Sequence, residues 1–370
     1  MATTNFEAAH AAVVAALRGI AQCTVGPGAP IAPSSAAWAP DFFVELTGPW
    51  GARRLACRIE AALHPKKAHG CQLAFADWLR HTPSQDVYPV LLAPFVSEAS
   101  SLLLAQSKVG FMDSAGNALL DLPGVYLDRR VPGNVKRERN AVRPLFTPAA
   151  ARVLRVLLTT AGPWKVQPLS EAARVSPGHV SHVRRMLCDY RWATAGSGGL
   201  QVVRPEEILD AWRKTGNPAL PLKRGYTPLH GAALAAKLSE LMATDKGGNL
   251  LLAGASAANY FAPYLRTSVT ELRATSAGLN QLREKLLWRD VSEGANVLVE
   301  LADTPEGFAG KAQPAADVFS TDPITTYLAL CRRGDRHADA AEHLRLTLLL
   351  PQWRNLCLSS NGASTNMLEP

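Results

Sequence analysis

Apolar residues recur at helical spacing over Val180, Val183 and Leu187, which predicts a helix from Pro177 with one inward stripe. Ahead of it, Leu169-Ser-Glu-Ala-Ala-Arg-Val175 reads as a second helix closed by a tight turn. Ala172 and Ala173 are small enough for two helices to cross closely. Ser176 suits an N-cap, and Pro177 suits the first helical position, where its missing N–H would be unpaired anyway. Phe146 to Leu158 predicts an earlier helix, and Pro163-Trp-Lys-Val166 a short strand or turn. Arg191-Trp-Ala-Thr194 and Leu200-Gln-Val-Val203 flank a Gly/Ser-rich turn and read as a hairpin. Pro205 to Trp212 predicts a closing helix. Helix, helix, turn, helix and hairpin in this order describe a winged helix-turn-helix domain over 145–215.

The pattern on the N-terminal side is different. Phe6 to Ile20 is alanine-rich and helical in pattern, and Gly26 to Pro40 reads as a loop or extended arm. Asp41 to Thr47 and Arg53 to Glu60 alternate as two strands joined at Gly48-Pro-Trp-Gly51, a hairpin. A helix over Ala68 to His81 is expected to turn Leu73, Ala76 and Leu79 inward. Val87 to Ala93 is a buried strand. Ser97 caps a helix to Gln106. Val109 to Asp113 and Val125 to Asp128 bracket a turn at Ala115-Gly-Asn117. This order describes an α/β domain with a mixed sheet over 1–135.

Beyond a linker over Arg213 to Arg224, a third α/β region is expected over 225–358, with a polar tail over 359–370. Its elements are helices at Pro228 to Leu241, Gly254 to Tyr264, Leu279 to Leu287, Asp322 to Cys331 and Asp335 to Leu349, and strands at Asn249 to Ala253, Ser268 to Thr275 and Ala295 to Leu301. The fold class is therefore multidomain α/β.

Composition narrows the class. The chain has 370 residues, 47% of them hydrophobic, so it has material for proper cores. No apolar run reaches the length of a membrane span, and the start lacks a basic region before an apolar core; a soluble, cytoplasmic protein is the expectation. The cysteines at 23, 57, 71, 188, 331 and 357 form no C-x-x-C pair, so neither a metal cluster nor a disulfide framework is expected, and no cofactor. The formal charge of +8 favours an anionic partner. Six basic residues, Arg129, Arg130, Lys136, Arg137, Arg139 and Arg143, stand against one acid, Glu138, just ahead of the winged helix. Beside a DNA-reading helix such a run meets phosphates.

Double-stranded DNA is therefore the expected partner. Ser176, His179, Ser181, His182, Arg184 and Arg185 lie outside the apolar stripe of the second helix. His179, Ser181, His182 and Arg185 are the candidates for base edges, and Arg184, Arg152 and Lys165 for phosphates, with Arg191 at the wing. A winged helix used only for protein contact is the alternative.

Pro40-Asp41 opens one strand and Glu60-Ala61-Ala62 closes the next. This resembles the restriction-endonuclease-like fold, in which Pro-Asp starts a strand and Glu-x-Lys ends the following one. Two carboxylates there hold a divalent cation and the lysine helps activate water. Asp41 and Glu60 match, but Ala62 stands at the lysine position. Lys66 and Lys67 follow beyond Pro65, and no catalytic site is expected. In the third region, Gly254-Ala-Ser256 entering a helix could cradle a phosphate or open a nucleotidyltransferase-like domain. Only Glu271 follows as a carboxylate, and small residues for close helix packing are the favoured reading.

The order of several segments resembles the AbiEi-type antitoxin family of type IV toxin–antitoxin systems, in its long, domain-fused form. They are Tyr88 to Pro94, Gly110 to Asn117, Val175-Ser-Pro-Gly-His-Val-Ser181, Arg204 to Trp212, Leu252 to Ala258, and the helices from Pro323 to Ala341. The resemblance spans residues 40 to 350 and implies a bacterial DNA-binding regulator, often on mobile elements. Glu60-Ala61-Ala62 departs from the Glu-x-Lys that members often carry. The function expected is non-catalytic, sequence-specific DNA binding. The alternatives are a divalent-metal nuclease using Asp41 and Glu60, or an antitoxin-like module that grips a toxin-like protein. A homodimer is left open.

Overall fold

The computed structural model describes Leu17 and residues 24–25, 29–30, 39–81, 87–131, 141–216 and 220–362. The expected helix over Phe6 to Ile20, apart from Leu17, lies outside them, as do most of Gly26 to Pro40 and Lys136, Arg137 and Arg139. The protein is mixed α/β and divides into two compact units: residues 1–141 with 186–191, and residues 142–185 with 192–370. No helix among the described residues is long and apolar enough to cross a membrane.

The first unit runs β1 (Thr24–Val25), β2 (Ala29–Pro30), β3 (Phe42–Gly48), β4 (Gly51–Ile59), α1 (Pro65–His81), β5 (Val87–Ala93), α2 (Glu98–Gln106), β6 (Gly110–Asp113), β7 (Ala118–Leu122) and β8 (Val125–Arg129). The strands form one sheet in the order β1-β3-β4-β5-β6-β7-β8, with β2 also on β3. β3 and β4 are the expected antiparallel hairpin. β5 then pairs in parallel with both β4 and β6, so α1 and α2 are crossover helices. Both faces of the sheet are covered. Val90 and Leu92 of β5 join Leu46, Leu55, Cys57 and Met112 on one face, while Leu91 and Ala93 join Cys71, Leu104 and Phe111 on the other. That is why β5 is a nearly unbroken apolar run. Ser97 caps α2 as expected, its side chain accepting from the Ser100 N–H.

The inward face of α1 differs from expectation. Pro65, Ala68, Cys71 and Phe75 are buried, and Leu73 is 56% exposed. The helix begins at Pro65, three residues before the expected start. The i, i+3, i+7 stripe from Ala68 then passes through Phe75, whose larger apolar area takes the core position. β7 was also not anticipated; it fills the space after the Ala115-Gly-Asn117 turn and pairs with β6 and β8.

The second unit opens with α3 (Pro148–Thr159), α4 (Val166–Ala173), α5 (Pro177–Asp189, its residues from Met186 onward counted with the first unit), the hairpin β9 (Ala193–Gly196) and β10 (Gly199–Val202), and α6 (Pro205–Thr215). Leu154, Leu158, Leu169, Val180, Val183 and Trp212 are buried, and Phe146 stacks on Trp212 at 5.6 Å. Between α4 and α5 the chain turns through Arg174 in a left-handed conformation, φ 52°, where helices often use glycine.

The rest of the unit is a seven-stranded mixed sheet with helices: β11 (Leu222–Tyr226), α7 (Gly231–Asp245), β12 (Leu250–Leu252), α8 (Gly254–Phe261), β13 (Thr270–Ala274), α9 (Ser276–Lys285), β14 (Arg289–Asp290), β15 (Val297–Leu301), β16 (Lys311–Ala315), β17 (Val318–Thr321), α10 (Pro323–Leu330), α11 (Asp335–Leu344) and α12 (Leu350–Gly362). Its order is β14-β11-β15-β13-β12-β17-β16. Three expectations are corrected. The linker ends in a strand, β11. The hairpin β16–β17 was not foreseen. The last helix does not give way to a tail at Ser359: a π turn at Arg345–Leu349 leads into α12, which continues to Gly362. Pro351 accounts for that turn, because it lacks an N–H and its ring would strike the carbonyl one turn back; the wider π register relieves both.

This α/β part and the segment from α3 to α6 are fastened together. The Trp353 indole N–H donates to the Leu158 carbonyl at 2.9 Å, and Arg345 reaches Glu206 at 3.0 Å and Asp210 at 3.9 Å on α6. Arg155 of α3 pairs with Asp322 at the start of α10 at 3.5 Å.

Candidate nucleic-acid interface and the carboxylate sites

α5 is built as its sequence pattern requires. Val180, Val183 and Leu187 are fully buried, and Ser181, His182 and Arg185 are exposed on the opposite side. His179 and Arg184 are half-buried. Ser176 is exposed, and its hydroxyl accepts the His179 N–H at 3.3 Å. The Ser181 hydroxyl donates back to the Pro177 carbonyl at 3.0 Å, which leaves its lone pairs free to accept.

The wing follows at once. Arg191 is exposed with φ 60° and turns the chain out of α5. Gly196 pairs with Gly199 across a two-residue tip, Ser197-Gly198, and Thr194 to Gly198 are all exposed. Trp164 exchanges two backbone hydrogen bonds with Leu200, at 2.9 and 2.8 Å, and so holds the base of the wing beside the start of α4. Lys165, exposed, is the first residue ahead of α4.

Arg152 has another role. Its guanidinium donates to the Ala173 and Arg174 carbonyls at 3.2 and 3.3 Å, so it closes the C-terminus of α4. Arg174 is exposed in the turn between α4 and α5. The only sequence signal for it was its place in the turn, and arginine is an uncommon residue for a left-handed position. Of the basic approach, Arg143 is exposed, while Arg130 is engaged by Asp128 at 2.7 Å and by the Ser101 hydroxyl at 3.0 Å.

In the first unit, the end of β4 brings Asp41 and Glu60 to one place. Asp41 Oδ2 accepts the Ile59 N–H at 2.7 Å. Arg58 lies between the two carboxylates, 3.5 Å from Asp41 Oδ1 and 3.6 Å from Glu60 Oε1. Glu60 is 8% exposed, and its other oxygen meets Lys67 Nζ at 3.1 Å. The early start of α1 puts Lys67 in its first turn, facing Glu60. A lysine is therefore present, supplied by the helix rather than by the strand position that Ala62 occupies. The Cys71 thiol donates to Glu60 Oε1 at 3.3 Å.

The third region holds a second charged centre. Glu271 Oε2 accepts the Ala255 N–H at 2.8 Å, at the first turn of α8, and the Ser256 hydroxyl accepts the Glu271 N–H at 2.9 Å. The helix start read as a phosphate cradle is thus filled by the chain's own carboxylate. Gly254, at φ 50°, leaves no room for a side chain beside Glu271. Arg333 bridges Glu271, at 2.5 Å, and Glu300, at 3.5 Å, and Arg273 donates to Glu300 at 2.8 Å. Glu300 follows as a second carboxylate on β15, aligned beside β13, which sequence spacing did not reveal. Burial pushes its pKa up, but Arg273 and then Arg333 and Arg332 outweigh this and hold it low. In both places a guanidinium lies between carboxylates that would otherwise repel. Among the described residues no group of three or more His, Cys, Asp or Glu side chains is placed to hold a metal ion.

Comparison with protein-family models, with curated proteins and with solved structures gives no match for the chain.

Proposed function

We propose that the protein is a non-catalytic transcriptional regulator that binds double-stranded DNA through α5 and the wing. The observation that carries this reading is the two-sided construction of α5: a buried valine-leucine stripe beneath an exposed face of Ser181, His182 and Arg185. Such a helix fits the major groove, and an exposed two-stranded wing beside it reaches the adjoining backbone. Arg191, Lys165 and Arg143 add exposed positive charge around it, and Arg174 joins them in the turn. The resemblance to AbiEi-type regulators supports reading the first unit as a restriction-endonuclease-like domain reused for DNA or partner contact. It also supports reading the last region as nucleotidyltransferase-like, with arginines lying between its carboxylates. A selection of bound duplexes from a random pool tests the reading. A recovered motif whose affinity falls in Arg185→Ala is the expected result, and a palindromic motif would add a homodimer. Recovery of no motif, with a toxin-like protein captured instead, would replace the reading by protein contact alone.

One observation favours a second reading. Lys67 beside Glu60 restores the set Asp41, Glu60 and lysine that metal-dependent phosphodiester hydrolysis needs. Arg58 between the carboxylates speaks for the first reading, because a bound guanidinium occupies the place of a cation. Incubation of plasmid DNA with Mg2+ or Mn2+ decides: cleavage abolished by both Glu60→Gln and Lys67→Met would establish the nuclease.

A further inference from the structure

We propose that the last α/β region binds a nucleotide in a cleft between the segment after α8 and the first turn of α11. The cleft is formed by two adjoining cavities, about 370 and about 360 Å3, that share Leu265, Arg266 and Arg336. Both cavities are shallow and broadly open to solvent, so a ligand here would lie across the surface rather than be enclosed.

Three features fix the class of ligand. The first is an aromatic platform. Tyr264 stacks on His343 with ring centroids 4.9 Å apart and is still 53% exposed, so His343 backs one side of its ring. The platform is held in place: Asn259 accepts the Tyr264 N–H and donates to the Leu265 carbonyl. A free base can stack on such a ring.

The second feature is cationic. Arg266 and Arg336 come from different elements and are both exposed. Neither forms an ion pair with a carboxylate among the described residues. Arg273, Arg283 and Arg333 of the same region, by contrast, have carboxylate partners. α11 also begins here, with Gly334 and Asp335 lining the opening and no side-chain cap on its first turn. Guanidinium groups and free helix N–H donors together recognise phosphate.

The third feature favours an organic ligand over a bare anion. Asp335 and Asp339 lie on the rim. Two carboxylates beside two guanidiniums weaken the hold on any phosphate, free or esterified, so binding must also draw on the base and sugar. The carboxylates can accept hydrogen bonds from sugar hydroxyls or base amino groups. Stacking ring, paired cations and hydrogen-bond acceptors make up the recognition set of a nucleotide, either free or as an unstacked unit of a single strand. The cleft is separate from the start of α8, which Glu271 fills, and it makes no use of α5.

Isothermal titration of the full chain with ATP, AMP, inorganic phosphate and a single-stranded oligonucleotide tests this. The expected result is binding of a mononucleotide or of the oligonucleotide. It should weaken about tenfold or more in Arg266→Glu, Arg336→Glu and Tyr264→Ala, and survive in Tyr264→Trp and Arg185→Ala. Whether AMP and ATP bind, or only the oligonucleotide, distinguishes a free nucleotide from a strand. The proposal is overturned by any of three results. One is no heat with any nucleotide at millimolar concentration. Another is binding unchanged in the three variants. The last is inorganic phosphate binding as tightly as AMP and ATP. Circular dichroism of each variant, all at exposed positions, shows that its fold is kept. Loss of duplex binding in Arg185→Ala alone would bear on the winged helix and leave this cleft untouched.

Discussion

Arg155 of α3 extends its guanidinium to Asp322, the N-cap of α10, with Nε 3.5 Å from Oδ2. Both side chains are largely buried, at 15% and 9% exposure. Asp322 also accepts the Ile324 and Thr325 N–H groups, and Arg155 donates to the Thr325 hydroxyl at 3.2 Å and lies over the Trp212 ring at 5.5 Å. One ion pair thus caps a helix of the α/β region and ties it to the core formed by α3 and α6. Burial lowers the Arg155 pKa, and Asp322 works against that. Removing one partner leaves the other charge buried and unpaired. Arg155→Met and Asp322→Ala should each destabilise the second unit by about 3–5 kcal/mol, and the double variant should cost much less than the sum. Thermal unfolding followed by circular dichroism supplies the cycle. Additive losses would mean that the two residues do not act as a pair.

Arg185 and Arg152 were read alike from the sequence, as DNA contacts, and the structure separates them. Arg185 is exposed, while Arg152 is spent on the Ala173 and Arg174 carbonyls. Arg185→Ala should weaken specific duplex binding by about 1–3 kcal/mol at fixed salt and leave the melting temperature unchanged. Arg152→Ala should lower the melting temperature, because the last carbonyls of α4 lose their donors. Equal melting temperatures for Arg152→Ala and the parent protein, combined with a large loss of affinity, would return Arg152 to the interface.

That contrast shows what the sequence makes legible. The elements from α3 to α6 could be read in detail because their signals are local: Ser176-Pro177 at a helix start, valines three apart, glycines at a hairpin tip. The α/β cores were legible as elements, but strands such as β7, β11, β16 and β17 were missed. β11 is exposed at all positions except Gly225, so its apolar pattern is weak, and only its neighbours β14 and β15 make it a strand. The carboxylate centres were least legible. Lys67 meets Glu60 only because α1 begins at Pro65, and Glu300 meets Arg273 and Arg333 only because β13 and β15 lie side by side. Such pairings arise from long-range register, which spacing along the chain does not encode.

The Lys67–Glu60–Cys71 contacts predict opposite effects on one thiol. The Cys71 pKa is pushed up to about 12, first by burial and then by Glu60, while Lys67 and Arg58 pull it down. At neutral pH the thiol is therefore protonated and slow to alkylate. Glu60→Gln should speed alkylation, since it removes a negative neighbour. Lys67→Met should slow it further, since it removes a positive one. Iodoacetamide labelling of the Cys71 peptide, followed by mass spectrometry over time, reads both. Changes of the same sign in the two variants would show that altered exposure, and not charge, governs the thiol.

Glu300 gives the second unit a defined response to acid. Its pKa lies below the ordinary 4.5 because Arg273 and Arg333, with Arg332 beyond them, outweigh the effect of burial. A carboxyl with a depressed pKa in the folded state binds protons more readily when unfolded. Its contribution to stability is complete above pH 4.5, declines as the pH falls below that value, and is lost once the pH passes the folded pKa. Glu300→Gln keeps the shape but removes the charge, so Arg273 and Arg333 lose a buried counter-ion. At pH 7 this should cost about 3–5 kcal/mol. The parent protein and the variant should then converge as the pH is lowered, because protonation removes the same charge from the parent. Urea unfolding of both proteins at pH 7 and at about pH 3.5 tests this, with the far-ultraviolet signal at each pH showing that a folded state remains. A gap between the curves that is as wide at the lower pH as at pH 7 would exclude an electrostatic role for Glu300.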